Sequence, residues 1–547
     1  MSISKHRVSE DLVLAAFERN AGNVRATAVE LGIARSTVRR TLAPLGAMKK
    51  PLAAGSIEGV KTEKQKLPAT GEVRRYILTS AQNNTYVHDS AWQNLLALAE
   101  HYDAQIIVGT YTYNQNRYGK LSVKRGKKAR YEHELWYDPK VIDYIQDVRV
   151  QLAPGLVWCG EMNILPTAVN PLAGLESYTG RASAIFPHAK LAMRSIATMQ
   201  GEDVKLNYTT GTVTQRNYIQ KREGVIAEFH HIYGGLLVEV NSTGNWWVRQ
   251  LNEDEKGTIQ DLDVISNNGK ITTGNRVEAV THGDLHGVFA DPAIVTTSLQ
   301  MVDELQPKFQ FLHDVMEGAA VNPHQRKYQT NHEKFHTWLR GYHKLENELV
   351  DTVKLLTRYE RKFSSTVIVD SNHDDAWIKR WLREYDYRKD PPNTEIFLKL
   401  QSYLYGKIRN GVTEEESRAR TANPKFVRDI NVLEYALREA GYKYAKFLSA
   451  DEPFKTCGRK IENGMHGHLG PAGRFGTPDN LSKMGRKANT AHTHATGIYN
   501  GLYVAGTSSK LRWDYTKGPS NWTHSHIVTY PNGKRSIITI YADQWRA

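Results

Sequence analysis

At 547 residues, 40% hydrophobic and 10% aromatic, the chain can bury several cores, which excludes a disordered tail and allows about two to four domains. Lys and Arg number 72 against 58 Asp and Glu, a formal net charge of +14 that favours a polyanionic partner. Two cysteines, Cys159 and Cys457, exclude a disulfide framework. The opening MSISKHRVSEDL lacks a signal-type apolar run and no stretch nears the length of a membrane span, so the expected location is the cytoplasm, with no membrane partner.

Residues 1–46 read as a small all-α unit. Apolar residues recur at helical spacing in three short segments, broken at Gly22-Asn23 and at Gly32. The stretch ATAVELGIARSTVRRTL resembles a helix-turn-helix. In that reading Ala28 and Leu31 pack the first helix of the motif, Gly32 makes the turn, and Val38 and Leu42 bury the second helix. Arg35, Ser36, Thr37, Arg39 and Arg40 then face outward, where they reach DNA phosphates or base edges. A plain three-helix bundle for protein contacts is the alternative. Residues 47–71, rich in Lys, Gly, Pro and Ala without periodicity, read as a basic linker.

From 72 to 275 strands and helices alternate, as in RRYILTSA, DSAWQNLLALAEHY and AQIIVGTYTY, which predicts an α/β accessory domain. Polar loops such as TSAQNNTYVH and GEMNILPT follow strands, where open α/β sheets place ligands. His88, Glu161 and Asn163 in these loops are read as structural.

From 276 to 547 the alternation resumes, interrupted by mostly helical insertions at about 331–361 and 376–450. The charged, amphipathic part of these insertions suits a cap or a homo-oligomer contact rather than catalysis. Polar clusters appear in order near predicted strand ends. Asp284 and His286 lie in VEAVTHGDLHG, His313 and Asp314 in FQFLHDVMEG, and Asn372, His373 and Asp374 in VIVDSNHDD. His466 and His468 follow in GMHGHLGP, His492 and His494 in NTAHTHATG, and His524 and His526 in NWTHSHIV. Asp-x-His on extended chain points both side chains to one side, so the pair can grip one cation. Carboxylate mixed with imidazole suits Mn2+, Fe or Zn2+ rather than Ca2+. A carboxylate such as Asp314 can bridge two ions, and the Asn372 amide supplies a neutral oxygen.

This order resembles the calcineurin-like metallophosphoesterase superfamily, whose motifs are written DxH, GDxxD, GNH[DE], H and GHxH and which includes nucleases, phosphodiesterases and Ser/Thr phosphatases. The resemblance covers residues 276–547, with His313, Ser371 and Ala491 standing where the family has glycine. It implies a β-sandwich flanked by helices holding two divalent ions, Mn2+ first, with Fe or Zn2+ as alternatives. It implies that Asp284, His286, Asp314 and His494 hold one ion, and Asp314, Asn372, His466 and His492 the other. His468 competes with His466 for its place. His373 would protonate the leaving oxygen and Asp374 would orient its ring. His524 and His526 read as a strand pair.

The basic balance, the helix-turn-helix and the linker favour DNA as substrate, hence a metal-dependent DNase. The layout is also similar to early proteins of T5-like phages that degrade host DNA or aid DNA transfer, which would place the protein in the host cytoplasm. Two other readings stay open: a phosphatase of a phosphoprotein or small phosphoester, and a DNA-binding regulator with an inactive metallophosphoesterase fold.

Overall fold

Helices Glu10–Arg19, Val24–Glu30 and Arg35–Leu42 bury Val13, Phe17, Ala28 and Val38 against one another, with Leu14, Leu31 and Ile33 packed around them. Gly32 turns between the second and third helices at φ +63°, a conformation that costs glycine little. Arg19 pairs with Glu30 at 2.7 Å and ties the first helix to the second. Ala28, Gly32 and Val38 therefore take their expected places. Arg35 is exposed and Thr37 half-buried, while the side chains of Ser36, Arg39, Arg40 and Leu42 lie outside those described. The structure is a computed structural model that describes residues 9–20, 24–42, 62–113, 136–323, 330–411, 429–450, 452–513 and 516–547. The chain divides into two units, residues 1–60 and 61–547.

The second unit is mixed α/β, as its alternating pattern predicts. A six-stranded sheet runs in the order Lys446–Phe447, Ser365–Ile368, Phe309–Leu312, Ala279–Thr281, Ser525–Thr529, Arg535–Thr539. The first four strands are parallel and the last two antiparallel to their neighbours. Such strands are buried on both faces, which is why they read as short apolar runs rather than as alternation. One face carries a helical layer in which Leu345, Leu349 and Leu356 join Trp377, Trp381, Leu433 and Leu437 over Leu312 and Ile368. The amphipathic insertion thus packs into a core. Towards the other face Ala279, Phe311, Val367 and Leu448 cluster together.

An eleven-stranded sheet contains Arg149–Ala153, Leu156–Cys159, Ser183–Phe186, Lys205–Thr209 and Met193–Ile196, then Gly497–Tyr499, Leu502–Val504 and Lys487–Thr490. Asn489 links the two sheets, its Nδ2 donating to Thr529 Oγ1 at 3.0 Å. A four-stranded sheet, Trp246–Asn252, Gly234–Asn241, Val73–Gln82 and Ala104–Tyr111, completes the core: Ile537 N donates to Gln250 Oε1 at 2.7 Å.

Two expected boundaries are corrected here. Met193–Ile196 pairs antiparallel with Gly497–Tyr499, so residues 72–275 and 276–547 share one sheet rather than forming separate domains. Each open strand edge needs a partner, and here the partner comes from the other half of the sequence. Of the expected linker, 47–61 lies outside the described residues, whereas Thr62–Lys64 is a strand parallel to Arg149–Gln151. The three residues singled out in the 72–275 loops each have a partner within the fold. His88 Nδ1 caps the helix Asp89–Tyr102, Glu161 pairs with Arg149 at 2.7 Å, and Asn163 Oδ1 accepts from Thr112 N at 3.0 Å.

Candidate metal centre

Three adjacent parallel strands end at one edge of the six-stranded sheet, and each continues into a polar turn. Ala279–Thr281 leads to Asp284 and His286, Phe309–Leu312 to Asp314, and Ser365–Ile368 to Asn372, His373 and Asp374. The larger sheet adds His492 and His494, just after Lys487–Thr490, and His466 follows Ile461–Glu462. His286, Asp314, His492 and His494 all have positive φ, between 41° and 72°. For non-glycine residues this conformation is uncommon and clusters where structure holds side chains for a task.

These side chains converge. His286 Nε2 lies 2.9 Å from His494 Nε2 and 3.7 Å from Asp314 Oδ2, and His494 Nε2 lies 3.0 Å from Asp284 Oδ2. On the other side of Asp314, His466 Nε2 lies 3.2 Å from Asp314 Oδ2 and 3.1 Å from Asn372 Oδ1. Three groups result whose donor atoms lie within 4.8 Å of one another: Asp284, His286, Asp314 and His494; Asp314, His466 and His492; and His286, Glu317 and His373. Asp314 belongs to the first two and His286 joins the third to the first. Asp284, His286, Asp314 and His466 are buried to within a few per cent.

The electrostatics fit a cation. Burial and the nearby Asp314 carboxylate raise the Asp284 carboxyl to about 7, although the histidines oppose this. Burial would also raise Asp314, but the His466 and His373 imidazoles beside it win and hold it well below the usual carboxylate range. Burial and the neighbouring imidazole His466 push His492 down to about 2, and burial likewise holds His494 at about 3. Neutral imidazole is the form that binds metal. Asp284 Oδ1 is buried without a hydrogen-bond partner, a cost that a cation would remove. Buried carboxylates and neutral imidazoles with converging donor atoms could hold a divalent ion.

His373 stands at the margin of this group. It is half-buried, with Trp377 against its ring at 3.8 Å between centroids. Burial opposes its charging, yet Asp314 and Glu317 outweigh burial and raise it to about 9. Its Nδ1 lies 3.2 Å from Glu317 Oε2.

Glu317 was not singled out in the sequence. It binds both His286 Nδ1, at 3.0 Å, and His373. A carboxylate on the far nitrogen fixes the tautomer and aims a ligating histidine. Asp374, expected in that role towards His373, instead accepts from the backbone N–H groups of Val315 and Met316, at 3.2 and 3.0 Å. It shapes the turn that carries Asp314 and Glu317. Glu348, on the helix Leu345–Tyr359, accepts from Gly318 N at 2.6 Å and Ala319 N at 2.8 Å and fixes the same turn from behind. The signal for Glu317 was faint: one Glu three residues after Asp314, on no obvious periodic face.

The remaining histidines separate. His466 reaches Asp314 and Asn372, whereas His468 packs beside His466 and His492 outside these donor groups. His526 is held by Ser298 Oγ at 2.7 Å and Gly283 N at 3.0 Å, and His524 Nε2 meets Ser509 O at 2.9 Å. Both support the strands, as expected. Among the described residues no helix is long and apolar enough to cross a membrane.

No family model matches the chain. It is similar to Protein A1 of Escherichia phage T5, with 36% identity over 484 residues, which is 85% of this chain and 81% of that protein.

Proposed function

The chain belongs to the family of Protein A1 of Escherichia phage T5, and from that membership and the geometry of its buried His/Asp cluster we propose that it is a phage-encoded, metal-dependent phosphodiesterase that hydrolyses DNA. One observation carries the reading: Asp314 is shared by two groups of potential ligands, with the His373 ring held beside them by Glu317 at 3.2 Å.

Asp284, His286, Asp314 and His494 would hold one divalent ion, and Asp314, Asn372, His466 and His492 would hold a second, with Mn2+ the best match to the mixed donor set. Such ions, when bound, polarise phosphoryl oxygens and acidify the attacking water. The chain's own residues do the rest. Glu317 fixes the rings of His286 and His373. His373 delivers its proton from Nε2 to the leaving oxygen, replacing a poor leaving group by a neutral alcohol. The Asp374 carboxylate keeps the Asp314 turn in place through the amides of Val315 and Met316.

DNA is the substrate that the remaining features favour. The charge of +14 rewards counterion release from a long polyanion, and the burial of Val13, Phe17, Ala28 and Val38 among the three N-terminal helices supports a helix-turn-helix reading. Action in the host cytoplasm, in degradation of host DNA or in DNA transfer, follows from that substrate in a phage protein.

The test incubates supercoiled, linear and single-stranded DNA, beside para-nitrophenyl phosphate, with wild type and His373→Ala, with and without Mn2+. The expected result is Mn2+-dependent DNA cleavage that the variant loses. Intact DNA with released nitrophenol would instead establish a phosphatase. Absence of any hydrolysis and of bound transition metal would leave a regulator with an inactive fold.

A further inference from the structure

Beside the metal centre a short hairpin carries an aromatic ring into solvent. Leu469 and Phe475 pair antiparallel, Gly470 N donates to Arg474 O at 2.7 Å, and Gly476 N donates to His468 O at 2.9 Å. Ala472 and Gly473 close the turn at φ 57° and 73°. The hairpin is pinned at its base. A Cβ on Gly476 would lie 1.8 Å from Gly467 O, and Asn480 Nδ2 donates to Phe475 O at 2.9 Å. On this firm support Phe475 is 71% exposed and Leu469 43%.

Position gives that exposure a meaning. The Phe475 ring centroid lies 5.7 Å from the ring of His492, one of the candidate ligands. Arg474, its neighbour in the chain, is exposed on the same hairpin. Leu469 and Gly470 also line a cavity of about 790 Å3 whose wall includes His466, another candidate ligand. Other aromatic rings are exposed too, Phe229, Phe335 and Trp338 among them, but Phe475 lies against a candidate ligand on a turn tied by backbone hydrogen bonds. A base with an open face suits such a ring, because stacking on an aromatic ring removes apolar surface from both partners and tolerates any base.

We propose that the hairpin His468–Gly476 is a nucleobase subsite. Phe475 stacks on an unpaired base next to the phosphate held at the metal centre, and Arg474 contacts the adjoining backbone. The inference rests on the phosphodiesterase reading and narrows its substrate to single-stranded or locally unpaired DNA. Inside a duplex both faces of each base are already stacked, so away from its ends the ring finds no partner there.

The experiment uses the full chain without added metal and measures binding by fluorescence anisotropy. The probes are a labelled single-stranded oligonucleotide, the same strand with abasic residues, and its duplex. Wild type should prefer the base-bearing strand to the abasic one. Phe475→Ala should weaken base-bearing binding by about fivefold to a hundredfold and bring the ratio of the two affinities close to one. Phe475→Trp, which keeps a stacking face, should retain the preference and so exclude a folding defect. A ratio in Phe475→Ala equal to wild type, or a dependence on Phe475 as large for the duplex as for the single strand, would overturn the subsite. Because this readout needs no cleavage, the two readings fail separately. A Phe475-dependent preference without Mn2+-dependent hydrolysis keeps the subsite and removes the phosphodiesterase.

Discussion

Asp314 is the side chain on which the site turns, because two of the donor groups include it. Its carboxylate is held ionised although it is buried, since the imidazoles around it outweigh the cost of burial. Asp314→Ala should therefore lower bound Mn2+ at both positions together, which equilibrium dialysis with metal analysis would show as a loss of more than one ion per chain. His373 has the opposite signature. His373→Ala should leave metal content near wild type while hydrolysis falls by about 10²- to 10⁴-fold, the usual worth of a positioned proton donor. Glu317→Gln tests the carboxylate behind both rings. It should weaken metal affinity by roughly 10- to 100-fold, as loss of such a supporting group commonly does, and an unchanged affinity would reduce Glu317 to packing. Asp284, His286, Asp314, Asn372, His373, His466, His492 and His494, singled out in sequence by polar clusters at strand ends and by the family resemblance, lie close together in the fold. Glu317 was not singled out, since its meaning comes only from two histidines distant in sequence from it.

The strands and helices hold the site through buried polar ties as much as through apolar packing. In the four-stranded sheet Arg249, almost wholly buried, bonds Glu239 Oε2 at 2.6 Å and Asp261 Oδ1 at 2.9 Å, joining that sheet to the small meander Thr258–Thr272. Arg249→Met should leave Asp261 buried without its cation and Glu239 with Arg75 alone, and lower the free energy of unfolding in urea by about 3–5 kcal/mol. The same network carries a pH dependence. Burial alone would raise Glu239, but Arg249 and Arg75 hold it at about 2, against an ordinary 4.5. Its folded pKa is depressed, so its stabilisation is fully present above about pH 4.5 and fades as pH falls towards about 2. Urea midpoints measured from pH 6 to pH 3 should show that loss in wild type and a flatter profile in Arg249→Met. The helix Leu345–Tyr359 shows a limit of element-level reading. Its charged, amphipathic pattern pointed to a cap or an oligomer contact, yet Glu348 sits inside it, fully buried and bonded to the turn behind Glu317. Periodicity locates an apolar face; it does not say that one acidic residue on that face has two backbone amides waiting.

At the scale of the whole molecule the chain is two units, and each can be tested for its part in handling DNA. Deleting residues 1–60 should weaken DNA affinity and lower the slope of log affinity against log salt by about 0.9 for each phosphate that those helices neutralise, without stopping hydrolysis of a small phosphodiester. Unchanged salt dependence would show that those helices do not touch DNA. The second unit should behave as one cooperative body, because Met193–Ile196 and Gly497–Tyr499 pair across three hundred residues of sequence.

Sequence by itself determined the order of carboxylates, amide and imidazoles, the helices of the first unit and the alternating α/β pattern of the second. These are properties of neighbours in the chain, where spacing and residue type act over a few residues. Tertiary structure alone decided that Asp314 joins two ligand groups, that Glu317 rather than Asp374 holds His373, that His466 enters the site and His468 stays outside, and that the two halves of the second unit share a sheet. Those outcomes depend on strand pairing and on burial, which pick partners by their place in space rather than by their distance along the chain.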